Sequence, residues 1–161
     1  AVRAMGGIRV DRSSGSDAPQ VEAEAALAAG ELVAILPQGT IPRGPDFFDP
    51  ELKGRWGAAR LAALSKVPVV PLGLWGTERV WPRSERVPRV WNVLSAPRVL
   101  VRGGPPVDLK LRSADADTRR IMAAIADLLP PEAGERREPT AEELLLTYPP
   151  GKAPVADAPA D

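Results

Sequence analysis

The chain has 161 residues, enough for one domain with a real core. It contains no cysteine and no histidine, which excludes a disulfide framework, a thiolate metal site and any imidazole chemistry from its own residues. Its 21 basic and 21 acidic side chains balance overall but not locally: residues 1–112 hold 16 basic and 11 acidic groups, and residues 113–161 hold 5 and 10.

In chain order, residues 7–12 read as a short strand, with Ile8 and Val10 alternating against polar neighbours. Ser16 and Asp17 can cap a helix through Ala29, with Gln20 and Glu22 in its first turns and Gly30 after it. Residues 32–36 form a nearly continuous apolar run, as expected for a strand covered on both faces. Residues 55–66 repeat apolar positions at Ala58, Leu61, Ala62 and Leu64, a helical spacing, and residues 67–75 read as a second buried strand. The prolines and scattered charges of residues 79–97 support no element. Residues 98–102 alternate again, with Val99 and Val101 on one side. Residues 114–129 carry Ile121, Met122, Ile125, Leu128 and Leu129 on one helical stripe, which Pro130-Pro131 ends. Thr140-x-x-Glu143 is a capping-box pattern opening a last helix to Thr147, and residues 149–161 read as a disordered tail. Alternation of buried strands with helices predicts an α/β fold in layers.

The longest apolar runs are about five residues, far short of the roughly 20 needed to span a bilayer, and no signal-peptide pattern is present. The basic part suits an anionic lipid surface or a phosphorylated substrate, whereas the acidic part reads as solvated. The first residue is Ala and the chain opens close to an expected strand, so the N-terminus is expected to be cut from something longer.

Four segments could carry chemistry. In Gly6-Gly7-Ile8-Arg9-Val10-Asp11-Arg12 the glycines permit close backbone approach, and Arg12 could pair with a phosphate or carboxylate. An ordinary edge strand with Asp11 and Arg12 solvated accounts for the same pattern. In Ile35-Leu36-Pro37-Gln38-Gly39-Thr40-Ile41-Pro42-Arg43-Gly44 a strand ends in a turn that offers backbone N–H groups, a hydroxyl and a guanidinium, a set that suits a phosphate. A plain turn held by Gly and Pro is the alternative. In Val67-Pro68-Val69-Val70-Pro71 the prolines cannot donate ladder hydrogen bonds, and the apolar wall could hold an acyl chain or simply pack the core. Trp75, Trp81 and Trp91 interleave with Arg79, Arg83, Arg86 and Arg89, a combination favoured at the membrane interface. A surface loop anchored by tryptophan fits too, while RNA stacking lacks any recognisable motif.

The order and spacing of the first three segments resemble the second, third and fourth sequence blocks of the PlsC-type glycerolipid acyltransferases, the 1-acyl-glycerol-3-phosphate acyltransferases, over about residues 1–110. That resemblance implies a mixed, largely parallel sheet flanked by helices, with residues 1–148 as the C-terminal portion of one acyltransferase domain. It implies transfer of an acyl group from acyl-CoA or acyl-carrier protein, as co-substrate and with no cofactor, to the free hydroxyl of a lysophospholipid. The family's first block, a His and an Asp separated by four residues, supplies the general base and its orienter. This chain has neither at the corresponding place, so the resemblance implies a preceding segment that carries them, and a chain inactive by itself.

Carried over by position, Arg12 would bind the acceptor phosphate, Gly39 and Thr40 would line the same pocket, and Pro71 would join the acceptor and acyl wall. Gln38 stands where the family has Glu. Ile41 stands where it has Arg, which makes Arg43 the displaced equivalent. The expected partners are a lysophospholipid acceptor, an acyl-CoA or acyl-carrier protein donor and a membrane surface met by residues 75–91, with no nucleic acid and no metal. The expected location is the cytoplasm, peripheral to the inner face of the cell membrane. A non-catalytic lipid- or phosphate-binding domain of the same fold is the alternative.

Overall fold

The computed structural model describes residues 6–8, 10, 17–88, 91, 95–135 and 138–152. Its regular elements are α1 (Ala18–Ala28), a 3₁₀ turn (Gly44–Phe48), α2 (Gly57–Ser65), β1 (Leu72–Trp75), α3 (Thr77–Val80), β2 (Leu100–Gly103), α4 (Ala114–Ala126), a second 3₁₀ turn (Pro131–Gly134) and α5 (Ala141–Leu146). They fall into two compact units. The first comprises the described residues up to Gly39, with residues 53–71 and 105–124; the second comprises residues 40–52, 72–104 and the described residues from Ile125 onward.

In the first unit, the helices form where the sequence places them. The Asp17 carbonyl accepts the N–H groups of Gln20 and Val21 at 2.9 and 3.1 Å, so α1 starts on backbone bonds while the Asp17 side chain makes no cap bond. The Gly30 N–H closes the other end on the Leu27 carbonyl at 3.0 Å. α1 packs against α2, and the buried residues there (Ala23, Ala59, Leu61 and Ala62) are mostly small, which suits a close helix approach. α4 buries Ile121 and Met122, with Asp117 and Thr118 one turn earlier on the same face.

Asp117 fixes the chain that leads into α4. Its carboxylate, 2% exposed, accepts the Lys110 N–H at 3.0 Å, the Leu111 N–H at 2.7 Å and the Arg120 guanidinium at 2.7 Å. Burial pushes the pKa of this group up, but the Lys110 N–H, the Arg120 guanidinium and the Leu111 N–H together outweigh it. The net pKa lies below the ordinary carboxylate value.

The second unit holds β1 and β2, which pair antiparallel with Leu72 opposite Gly103 and Trp75 opposite Leu100. It also holds α5, which opens on the expected capping box: the Glu143 N–H donates to Thr140 Oγ1 at 3.2 Å and the Thr140 N–H to Glu143 Oε2 at 2.9 Å. The end of α5 meets the first 3₁₀ turn, where the Gly44 N–H donates to the buried Thr147 Oγ1 at 2.8 Å.

Helices with a small sheet are consistent with an α/β class, but the largely parallel sheet is not found. Among the described residues the sheet is two-stranded and antiparallel. The reasons are local. Residues 32–36 take no ladder partner among the described residues, and Leu32 and Leu36 stand 89% and 80% exposed. Pro68 and Pro71 offer no N–H, and the bond found in their segment runs from the Val107 N–H to the Val69 carbonyl at 2.9 Å. Regular pairing begins at Leu72, just past the second proline. Gly7, Ile8 and Val10 lie in no strand, while Arg9, Asp11 and Arg12 fall outside the described residues. Of the tail from residue 149, only residues 149–152 are described.

Candidate functional site

The apolar run ahead of Pro37 ends in a tight turn. The Gly39 N–H donates to the Leu36 carbonyl at 3.0 Å, and Gly39 takes φ +67°, a left-handed conformation that a β-carbon would strain. From the other side, the Arg55 N–H donates to the Pro37 carbonyl at 2.8 Å, tying the entry of α2 to this turn.

The Arg55 side chain then crosses the bare face of Gly39. A β-carbon at Gly39 would stand 2.9 Å from Arg55 Cδ, 3.4 Å from Nε and 3.8 Å from Cγ. Gly39 is needed for its φ; the exposed Arg55 stem could swing aside from a β-carbon. Arg55 is exposed, and its guanidinium makes no hydrogen bond or ion pair among the described residues. Arg60, one turn on, is occupied otherwise: its guanidinium lies 5.4 Å from the centroid of the Trp56 ring.

The base of this turn is held from α4. Gly54 sits so close to the helix that a β-carbon there would lie 2.7 Å from Met122 Cγ and 2.8 Å from Thr118 Cγ2. Met122 and Thr118 are both buried. The order of support therefore runs from α4 to Gly54, from Gly54 to Arg55, and from Arg55 to Gly39.

The residues singled out from the sequence fall in different places. Gln38 and Gly39 share the turn, each half-buried, and Pro71 belongs to the same unit, buried just ahead of β1. Thr40 and Arg43 belong to the second unit. There Arg43 is exposed on extended backbone, φ −137° and ψ 155°, and Thr40 Oγ1 reaches the Ile41 carbonyl only at 3.5 Å, the outer limit of a hydrogen bond. Arg12 lies outside the described residues. Arg55 has no counterpart in the sequence reading; the glycines flanking Arg55-Trp56 at the head of a helical pattern are the one signal that points to it.

Within the second unit, residues 40–44 are pinned by the Thr147 hydroxyl at Gly44 and by Arg83, whose Nη1 donates to the Ile41 carbonyl at 3.3 Å. Arg83 is therefore engaged by the protein. In the same segment Trp81 and Trp91 are 54% and 88% exposed, and the Trp81 indole N–H donates to the Glu85 carbonyl at 3.2 Å. Arg79 stands 3.7 Å from Glu78, Arg86 is exposed, and Arg89 lies outside the described residues. Among the described residues no helix is long and apolar enough to cross a membrane.

Chemically, the Gly39 turn brings Gln38, a backbone turn and the exposed Arg55 into one place, residue types that suit an anion rather than proton transfer. Residues 1–75 match the family model described as Acyltransferase, which supports an acyltransferase family and, at that level, an enzyme of acyl transfer. No curated protein and no solved structure gives a significant match to the chain.

Proposed function

We propose that the protein transfers an acyl group from acyl-CoA or acyl-carrier protein to the free hydroxyl of a lysophosphatidate-like acceptor, a PlsC-type step of phospholipid biosynthesis. The observation that carries this reading is the Acyltransferase match, because residues 1–75 include all three ordered blocks, from Gly6 to Arg12, from Leu36 to Thr40 and from Val67 to Pro71. The acceptor oxygen attacks the thioester carbonyl carbon, the carbon–sulfur bond breaks, and the hydroxyl proton passes by way of a base to the departing thiolate. A His and an Asp on a segment ahead of Ala1 supply that base and its orienter. Arg12 and Arg43 bind the acceptor phosphate, Gln38 contributes a neutral hydrogen bond, Gly39 and Thr40 line the pocket, and Pro71 belongs to the acyl wall. Residues 75–91 meet the inner face of the membrane through Trp81 and Trp91, whose exposed rings suit headgroup depth.

The test is acyl transfer by the product of the whole reading frame, with both donors and several lysophospholipids. Product with a phosphorylated acceptor is the expected result; transfer to none of them overturns the reading. Gln38 in place of an acid and the absence of histidine favour one second reading, a non-catalytic lipid- or phosphate-binding domain. Binding of lysophosphatidate without acylation, by a protein with no His-x-x-x-x-Asp ahead of Ala1, selects it.

A further inference from the structure

We propose that Arg55 is a further guanidinium, besides those assigned from the sequence blocks, that receives a phosphate ester at the Gly39 turn. The role deepens the acyltransferase reading and rests on it for the identity of the ester.

Three observations converge. Arg55 is positioned by its own backbone, since its N–H is bonded to the Pro37 carbonyl at 2.8 Å. Its side chain is laid across Gly39, with Cδ 2.9 Å and Nε 3.4 Å from where a β-carbon would be, so the guanidinium leaves from the surface of the turn. The guanidinium is exposed and unpaired among the described residues, so its donors remain available to an oxyanion. A planar guanidinium fork at this place can bind a phosphate through two parallel charge-assisted hydrogen bonds. Arg60 cannot do the same without leaving Trp56.

The phosphate ester could belong to the acceptor or to coenzyme A, and one experiment separates them. The product of the whole reading frame is treated with an arginine-specific dicarbonyl, and Arg55 modification is followed by peptide mass spectrometry. The additions are lysophosphatidate in neutral micelles, the uncharged monoacylglycerol of the same chain, or coenzyme A. Lysophosphatidate, but not monoacylglycerol, is expected to slow modification of Arg55 several-fold. Protection by coenzyme A instead assigns the ester to the donor. Equal rates in all arms overturn the proposal.

Arg55→Gln is expected to raise KM for the protecting phosphate ester about tenfold with little change in kcat, and Arg55→Lys to recover part of the loss. An unchanged KM in Arg55→Gln also overturns it. Absence of acyl transfer by the unmodified protein refutes the acyltransferase reading alone, because the protection experiment needs no turnover.

Discussion

Replacing Gly54 by alanine tests how closely the residues ahead of α2 lie on α4. The new methyl carbon would stand 2.7 Å from Met122 Cγ, 2.8 Å from Met122 Sδ and 2.8 Å from Thr118 Cγ2, where carbon contacts are relaxed only near 3.5–4.0 Å. Neither neighbour gives way freely: Met122 is 5% exposed, and Thr118 is 6% exposed with its hydroxyl bonded to the Ala114 carbonyl at 2.7 Å. Overpacking of this kind costs about 1–3 kcal/mol, and the lower entropy of an unfolded chain with alanine returns about 0.4–1 kcal/mol, so the clash wins. The expected outcome is a lower urea midpoint at unchanged slope, corresponding to a net loss of up to about 2.6 kcal/mol. Met122→Ala opens the space, so combining it with Gly54→Ala should cost less than the sum of the two by about 0.5–3 kcal/mol. A midpoint above that of the parent protein, or strict additivity in the double variant, would falsify the close approach on which the placement of Arg55 depends.

Asp117→Asn removes the charge that holds the Lys110 and Leu111 N–H groups and the Arg120 guanidinium, and should cost about 2–3 kcal/mol in thermal or urea unfolding. Because the folded pKa of Asp117 lies below its unfolded value, its contribution is fully present above that unfolded value, near pH 4, and is lost as pH falls through the folded pKa. The melting temperature of the parent protein should therefore drop on acidification below about pH 4 more steeply than that of Asp117→Asn; parallel profiles would contradict this. Lys66 ends α2 at φ 52° with its N–H on the Ala62 carbonyl, so Lys66→Gly should relieve left-handed strain and raise stability by about 0.5–1 kcal/mol, read from the shift in melting temperature. Thr147→Val keeps the shape but leaves the buried Gly44 N–H without its acceptor, with an expected loss of about 1–3 kcal/mol in the same measurement.

The helices were legible because each carries its own instructions. The apolar stripe of α4 and the Thr140 and Glu143 pair of α5 act within one or two turns, and local spacing captures them. The strands needed partners, and spacing says nothing about partners. Residues 32–36 and 67–71 have similar apolar runs to a buried parallel strand. Yet the first lies largely exposed, and the second loses two donors to Pro68 and Pro71. Among the described residues the ladder forms past Pro71, with Leu100–Gly103 in the antiparallel sense.

The same distinction explains why the cation at the Gly39 turn escaped the sequence reading. A spacing argument looks for charge within a few residues of Gly39-Thr40 and arrives at Arg43. Within its own unit, what lies against Gly39 is Arg55, distant in sequence and brought there by two backbone constraints, the Pro37 carbonyl and the contact of Gly54 with α4. The backbone that carries Arg55 is shaped by two glycines acting differently: Gly54 because the helix leaves no room for a side chain beneath it, Gly39 because its φ excludes one. Enlarging either glycine leaves the charge intact but shifts the backbone that carries it, at a cost in stability. Loss of phosphate-ester recognition in such a variant, with Arg55 still present, would locate the specificity in placement as well as in charge.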